Sequence, residues 1–314
     1  MDASGIAFLG LGQMGRALAG LLLADGVPLT IWNRDPGKIA GWAARGARVA
    51  ATPAAAGAAV PVVFTMLGGD PSVEAVVLGE GSATPGLLSG MAPGGIHVGL
   101  STISAPLAAR LSDAHAAAGS VYLACPVFGR PEAAAARQLW LVAGGPQTAF
   151  DRLEPLLRRL GRGLTYLGAS AGQAHLLKVA GNFLIAAAVE AMAESFALVE
   201  RGGLSPAQFL ATVNDAVFRS PLYAAYGSRM VEGQHEPAAF ALRWGLKDVS
   251  LARAAAAQLQ APLPLADLLH AHLVAAMERG WQERDWTAVA EIVRETAGLP
   301  ARQPVAEPRP MPPR

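Results

Sequence analysis

The chain has 314 residues, a formal net charge of +1 at pH 7, 52% hydrophobic residues and one cysteine. At ~150 residues per domain the length predicts two domains; the small net charge gives no reason to expect nucleic acid, whose binding needs a basic face, and the lone Cys125 excludes an intrachain disulfide and fits a reducing, cytoplasmic compartment. The most apolar runs, Ile6 to Leu9 and Val60 to Leu67, fall short of the ~18 residues of a membrane span, and the N-terminus carries no basic region ahead of an apolar core, so no membrane partner is expected.

In chain order, the first element is Gly5-Ile-Ala-Phe-Leu9, apolar and of strand length. Gly10-Leu11-Gly12-Gln13-Met14-Gly15 follows at once, and Arg16 to Asp25 then has helical length and periodicity. Strand, glycine turn and helix in that order form the context a dinucleotide-binding fingerprint requires. Gly10 permits the tight turn, Gly12 lets the backbone approach a pyrophosphate at the helix N-terminus, and Gly15 lets helix and sheet pack closely. A second strand, Pro28 to Trp32, ends in Asn33-Arg34-Asp-Pro-Gly-Lys38. An acid at this distance bonds a ribose 2′-hydroxyl, whereas arginine accommodates a 2′-phosphate. With Asn33 in place of the acid and positive charge from Arg34 and Lys38, the expected cofactor is NADPH.

Apolar runs and helical segments then alternate as in a doubly wound, mainly parallel Rossmann sheet. The runs Val62 to Leu67, Ile96 to Val98 and Val121 to Ala124 lead into Gly68-Gly-Asp, Gly99-Leu-Ser101-Thr102 and Cys125-Pro-Val-Phe128-Gly129-Arg130. Loops after the strands' carboxyl ends line the ligand crevice of such a sheet, which brings Met66, Leu67, Ser101, Thr102 and the segment from Pro126 to Arg130 to the site. By Leu160 to Gly168 the alternation has run out. Gly172 to Arg201 reads as one long proline-free helix, and further helices are predicted from Ser205, Tyr223, Glu236, Leu263 and Thr287. The predicted organisation is a dinucleotide-binding domain over 1–168, an all-helical domain over 169–298, and a disordered proline-rich tail over 299–314.

The long helix carries Lys178 and, four residues on, Asn182, which share one face. Together the motifs resemble the β-hydroxyacid dehydrogenase family, which includes 3-hydroxyisobutyrate dehydrogenases and is related to imine reductases. The resemblance spans roughly residues 5 to 297 and rests on Gly10-Leu-Gly12-Gln-Met-Gly15, Asn33-Arg34 with Lys38, Ser101-Thr102, Pro126-Val127 with Gly129, Gly172 with Lys178 and Asn182, and Lys247-Asp248. It implies that Lys178 is the catalytic acid/base, that Asn182 holds the substrate, that Ser101 and Thr102 border nicotinamide and substrate, and that Lys247 lies near the cofactor. It also implies a homodimer or homotetramer built through the helical domain.

The chemistry suits these residues. Reducing a carbonyl puts hydride on carbon while negative charge grows on oxygen, and a positioned ammonium both stabilises that charge and delivers the proton. Partial desolvation would lower the pKa of Lys178 from about 10.4 toward neutrality. No metal is expected, because the histidines show no ligand spacing with supporting carboxylates. Where the family commonly reads Ser-Gly-Gly, this chain has Phe128-Gly129-Arg130, bulky and cationic: Phe128 argues for a larger or more apolar small-molecule substrate, while Arg130 either binds a substrate carboxylate as a bidentate pair or faces solvent. The main expectation is an NADPH-dependent reductase of a β-hydroxyacid, semialdehyde or bulkier ketone. Alternatives are an imine reductase or reductive aminase, whose branch commonly carries aspartate or tyrosine in place of Lys178, and a non-catalytic NADP-binding module.

Overall fold

The computed structural model describes residues 5–300, so most of the proline-rich tail lies outside the described residues. The chain begins with β1 (Ile6–Leu9), α1 (Gln13–Ala24), β2 (Leu29–Trp32), β3 (Arg48–Val49), α2 (Pro53–Ala58), β4 (Val62–Thr65), α3 (Asp70–Val73), β5 (Ile96–Gly99), α4 (Ala105–Ala117) and β6 (Val121–Ala124). These strands form one sheet in the order β3-β2-β1-β4-β5-β6, parallel throughout. Buried on both faces, β1, β4 and β5 are apolar apart from Thr65 and His97, whose side chains hydrogen-bond to each other. Leu18, Ala19 and Leu22 put one face of α1 onto the sheet, where a fully buried leucine contributes roughly 1.5–3 kcal/mol. Helix starts follow local chemistry: the Thr52 hydroxyl accepts from Ala55 N at α2, and the Ser104 hydroxyl from Leu107 N at α4.

A second sheet follows that the sequence reading does not contain. It comprises β7 (Val127–Phe128), β8 (Leu139–Ala143) and β9 (Gly161–Tyr166), with α5 (Pro131–Ala135) and α6 (Gln147–Leu157) between the strands; β7 pairs antiparallel with β8, and β8 pairs parallel with β9. The wound sheet is therefore extended by a smaller mixed one before the helices take over.

Helix α7 runs unbroken from Ala171 to Arg201. The chain divides into two compact units at Val179/Ala180, inside this helix. By length and composition α7 could cross a membrane, a correction to the expectation that no segment reaches that size. Counting unbroken apolar runs missed it because Lys178 and Glu190 interrupt them. Those polar groups are the signature of a core helix, since Glu190 meets His272 Nδ1 at 2.6 Å inside the protein.

The second unit continues with α8 (Pro206–Ala216), α9 (Pro221–Glu232), α10 (Leu242–Gln258), α11 (Pro264–Glu278) and α12 (Val289–Thr296). Val189, Met192 and Phe196 of α7 share its core with Leu210, Met230, Leu269, Leu273 and Trp286. The helix predicted from Glu236 starts only at Leu242. The Asp285 carboxylate accepts hydrogen bonds from Ala239 N and Phe240 N, which holds the preceding segment out of helix.

Candidate active site

The strand order reverses between β1 and β4, the position where wound sheets open a ligand crevice. Gly10 leaves β1 with φ +98°, and a Cβ there would lie 2.2 Å from Met66 O, so only glycine fits against the end of β4. A Cβ on Gly15 would meet Gly10 O at 1.9 Å, whereas one on Gly12 would meet nothing within 4 Å. Gly12 thus faces open space, as a backbone approached by a ligand must. It is also the N-cap of α1, and no side chain caps that helix. The first-turn amides around Gln13, Met14 and Gly15 remain for an anion, aided by the helix dipole. The Leu11 side chain is fully buried, so this residue can offer a ligand only its backbone.

The turn after β2 is tied to that glycine loop. Asn33 accepts from Leu11 N at 2.8 Å through its amide oxygen and donates to Asp35 O at 3.0 Å. Its amide fixes the two loops together, a duty beyond replacing the ribose-binding acid. Arg16, which the sequence reading did not select, completes the tie by donating to Leu11 O at 3.3 Å and to Lys38 O at 3.2 Å. Its only sequence signal was its place directly after Gly15. Arg34 and Lys38 are exposed, as groups meeting a 2′-phosphate at a crevice lip should be. Asp35 stands between them in sequence, and its carboxylate accepts from Gly37 N at 2.9 Å. Open space at Gly12, uncapped amides and exposed cations fit a dinucleotide phosphate.

The loops after β4 and β5 are joined in the same manner. Ser101, buried, accepts from Leu67 N at 2.8 Å, so its hydroxyl orients the Leu67 loop and retains one proton to donate. Met66 and Thr102 are half-buried beside them.

Lys178 is only 7% exposed. Its Nζ lies 4.1 Å from the centroid of the Phe128 ring, within cation–π range. Phe128 is fixed from both sides, opposite Trp140 in the β7–β8 register and beside Gly129, whose φ is +131° and whose Cβ would strike the Leu139 side chain at 2.4 Å. One turn before Lys178 on α7, the fully buried His175 shares a 3.1 Å hydrogen bond between Nε2 and Tyr122 OH, anchoring the helix to β6. Burial pushes the Tyr122 hydroxyl far above its ordinary range and the Cys125 thiol up to about 12, so both are neutral at physiological pH. Arg130, half-buried, is the N-cap residue of α5.

In the second unit Asn182, also 7% exposed, donates through Nδ2 to Asp248 Oδ2 at 2.5 Å, while Lys247 Nζ stands 2.8 Å from Asp248 Oδ1. The buried Asp248 therefore orients both candidate residues. Sequence reasoning recorded it only as the neighbour of Lys247. A compositional signal also went unused: of 25 basic residues just three are lysines, Lys38, Lys178 and Lys247. A chain that otherwise uses arginine has kept the compact ammonium at the three positions singled out for chemistry.

The fold and glycine turn define a dinucleotide-binding protein. Residues 5–168 match the family model for the NAD binding domain of 6-phosphogluconate dehydrogenase, and residues 172–293 the one for the NAD-binding domain of NADP-dependent 3-hydroxyisobutyrate dehydrogenase. The chain is 40% identical to the uncharacterized oxidoreductase YfjR of Bacillus subtilis over 92% of its own length and 99% of that protein's. It is 27% identical to glyoxylate/succinic semialdehyde reductase 2 of Arabidopsis thaliana, over 92% and 79% of the two chains. Among solved structures it is similar to Psf3 in complex with NADP+ and 2-OPP, with TM-score 0.81, 26% identity, and 92% and 99% coverage. A reductive aminase from Aspergillus terreus in complex with NADPH and ethyl levulinate shares the fold at TM-score 0.60 and 24% identity, over 92% and 99% of the chains. The chain belongs to the β-hydroxyacid dehydrogenase family. It is an oxidoreductase whose cofactor is NADP.

Proposed function

We propose that this protein reduces the carbonyl group of a β-hydroxyacid-type oxo compound, a semialdehyde or a bulkier ketone, with Lys178 as the general acid, and oxidises the corresponding hydroxyl compound in reverse. One observation carries the reading: Lys178, nearly buried on an apolar helix, lies against the face of Phe128, a setting that keeps an ammonium poised and out of bulk water.

Bound NADPH would supply the hydride and leave as NADP+. In this reading the first-turn amides of α1 bind its pyrophosphate, while Arg34 and Lys38 take the 2′-phosphate. Ser101 and Thr102 orient the reacting groups. Lys178 Nζ gives a proton to the carbonyl oxygen as charge develops there, and Asn182, held by Asp248, directs a hydrogen bond at the substrate. Lys247, paired with the same carboxylate, is assigned to the cofactor. Phe128, Gly129 and Arg130 border the substrate, and the ring of Phe128 favours an apolar group over a small carboxylate.

The test is NADPH oxidation followed at 340 nm against panels of semialdehydes, oxoacids, ketones and cyclic imines. Turnover of the carbonyl panels supports the reading; turnover confined to imines overturns it in favour of an imine reductase. We further propose a cytoplasmic homodimer or homotetramer built through the helical unit. Leu184 and Leu198 of α7 are 67% and 73% exposed, and Leu204, Val217 and Phe218 add apolar surface nearby in the chain, area that a second copy would cover. A monomer at micromolar concentration in light scattering contradicts that assembly.

A further inference from the structure

The backbone around Phe128 is closely constrained. Register with Trp140 on one side and the steric demand for glycine at 129 on the other leave the ring no freedom to slide. The ring is half-buried and packs against apolar core, while its face meets the Lys178 ammonium. An aromatic face carries negative quadrupole density and attracts a cation most strongly where water is excluded. Lys178 satisfies both conditions.

We propose that Phe128 is a positioning residue for Lys178, its ring holding the side-chain amine in the ammonium form and aiming it along one direction. This rests on the assignment of Lys178 as proton donor, but the pairing itself can be tested without turnover. Burial by itself would drive the amine toward neutrality, and a neutral amine has no proton to give. A cation–π contact opposes that loss by stabilising only the charged form. Ionisable groups of the N-terminal unit near this pair in the fold or sequence include His175 on the preceding helical turn, Tyr122 behind it, Asp70 near enough to act on Tyr122, and Cys125, Arg130 and Glu132 flanking Phe128 in sequence. Tyr122 and Cys125 are neutral, for the reasons given above, and supply no counter-charge. The aromatic ring stabilises the ammonium without being able to take its proton, as a carboxylate could. The consequence for the reaction is directional: the ring extends the pH range over which reduction proceeds and restrains the reverse oxidation, which needs the neutral amine.

With three lysines in the chain, incorporation of lysine labelled with carbon-13 at Cε gives three signals, assigned by Lys38→Arg, Lys178→Arg and Lys247→Arg. Titration of the full-length protein, with and without NADP+, reads the Lys178 midpoint directly. Phe128→Leu removes the ring and keeps apolar bulk, and should lower that midpoint by about half to one and a half pH units, the range a cation–π contact spans. Phe128→Tyr keeps the ring face and should hold the midpoint near that of the unmodified protein. Circular dichroism checks folding, and Phe128→Met replaces the leucine variant if that one does not fold. The falling limb of the reduction rate should move with the NMR midpoint, leaving NADPH affinity unchanged. An unchanged midpoint in Phe128→Leu, or an equal drop in Phe128→Tyr, overturns the proposal. If the midpoint shifts as expected but no carbonyl compound is reduced, the ring–ammonium pairing stands and the proton-donor reading fails.

Discussion

Acidification should weaken the N-terminal unit through two histidines that take no part in the proposed chemistry. His97 on β5 and His115 on α4 are fully buried and joined in a chain: Thr65 Oγ1 to His97 Nε2 at 2.8 Å, His97 Nδ1 to His115 Nε2 at 3.0 Å, and His115 Nδ1 to Ser120 Oγ at 2.8 Å. Burial lowers the pKa of His115 from 6.5 to about 4, and burial with the neighbouring ring lowers that of His97 well below 6.5. Both values lie lower in the folded than in the unfolded chain. The unfolded state therefore binds protons first as pH falls through 6.5, and stability present above that pH is lost progressively toward 4. For His115 alone, moving from pH 7 to pH 5 costs about 2 kcal/mol. At a urea slope of roughly 2 kcal/mol per molar that is a midpoint shift of about 1 M. His115→Gln retains hydrogen-bonding capacity without titrating, so its midpoint should fall about 1 M less than that of the unmodified protein over the same interval. Parallel pH dependences of the two proteins in urea unfolding followed by fluorescence would refute the linkage.

Gly15→Ala places a methyl group 1.9 Å from Gly10 O, a backbone contact that cannot yield cheaply. Stability should drop by about 1–3 kcal/mol and NADP+ affinity should fall with it, by thermal unfolding and titration calorimetry, whereas Gly12→Ala, facing open space, should spare stability and weaken NADP+ alone. Arg34→Ala should erase most of the preference for NADPH over NADH in fluorescence titrations, and equal affinities in the unmodified protein would contradict the assignment of Arg34.

What the sequence disclosed followed from local causes. The strands from Ile6, Leu29, Val62, Ile96 and Val121 are mostly apolar runs closed by loop residues, and the glycine turn is legible from its spacing between strand and helix. The second sheet was hidden because its signals are non-local. Gly161 and Gly163 make β9 look like a turn, yet a Cβ on Gly161 would strike Leu139 O at 2.3 Å and one on Gly163 the Trp140 ring at 2.3 Å. Those glycines make room for the neighbouring strand. Asp285 halting a helix near residue 240 and Asp248 orienting Asn182 are likewise pairings across more than 40 residues, beyond the reach of periodicity. The candidate site residues were proposed from residue types at spacings. Their partners, Arg16, Asp248 and the ring of Phe128 over Lys178, required the fold.

The central claim is that Lys178 delivers the proton. The measurement that tests it is Lys178→Met, which keeps length and removes charge, assayed for both turnover on the best carbonyl substrate and NADPH affinity. Turnover should fall by roughly 10² to 10⁴, the contribution of a positioned acid, with NADPH dissociation nearly unchanged because the glycine turn and Arg34 are intact. Near-full turnover in Lys178→Met, or a loss of NADPH affinity as large as the loss of rate, would contradict it.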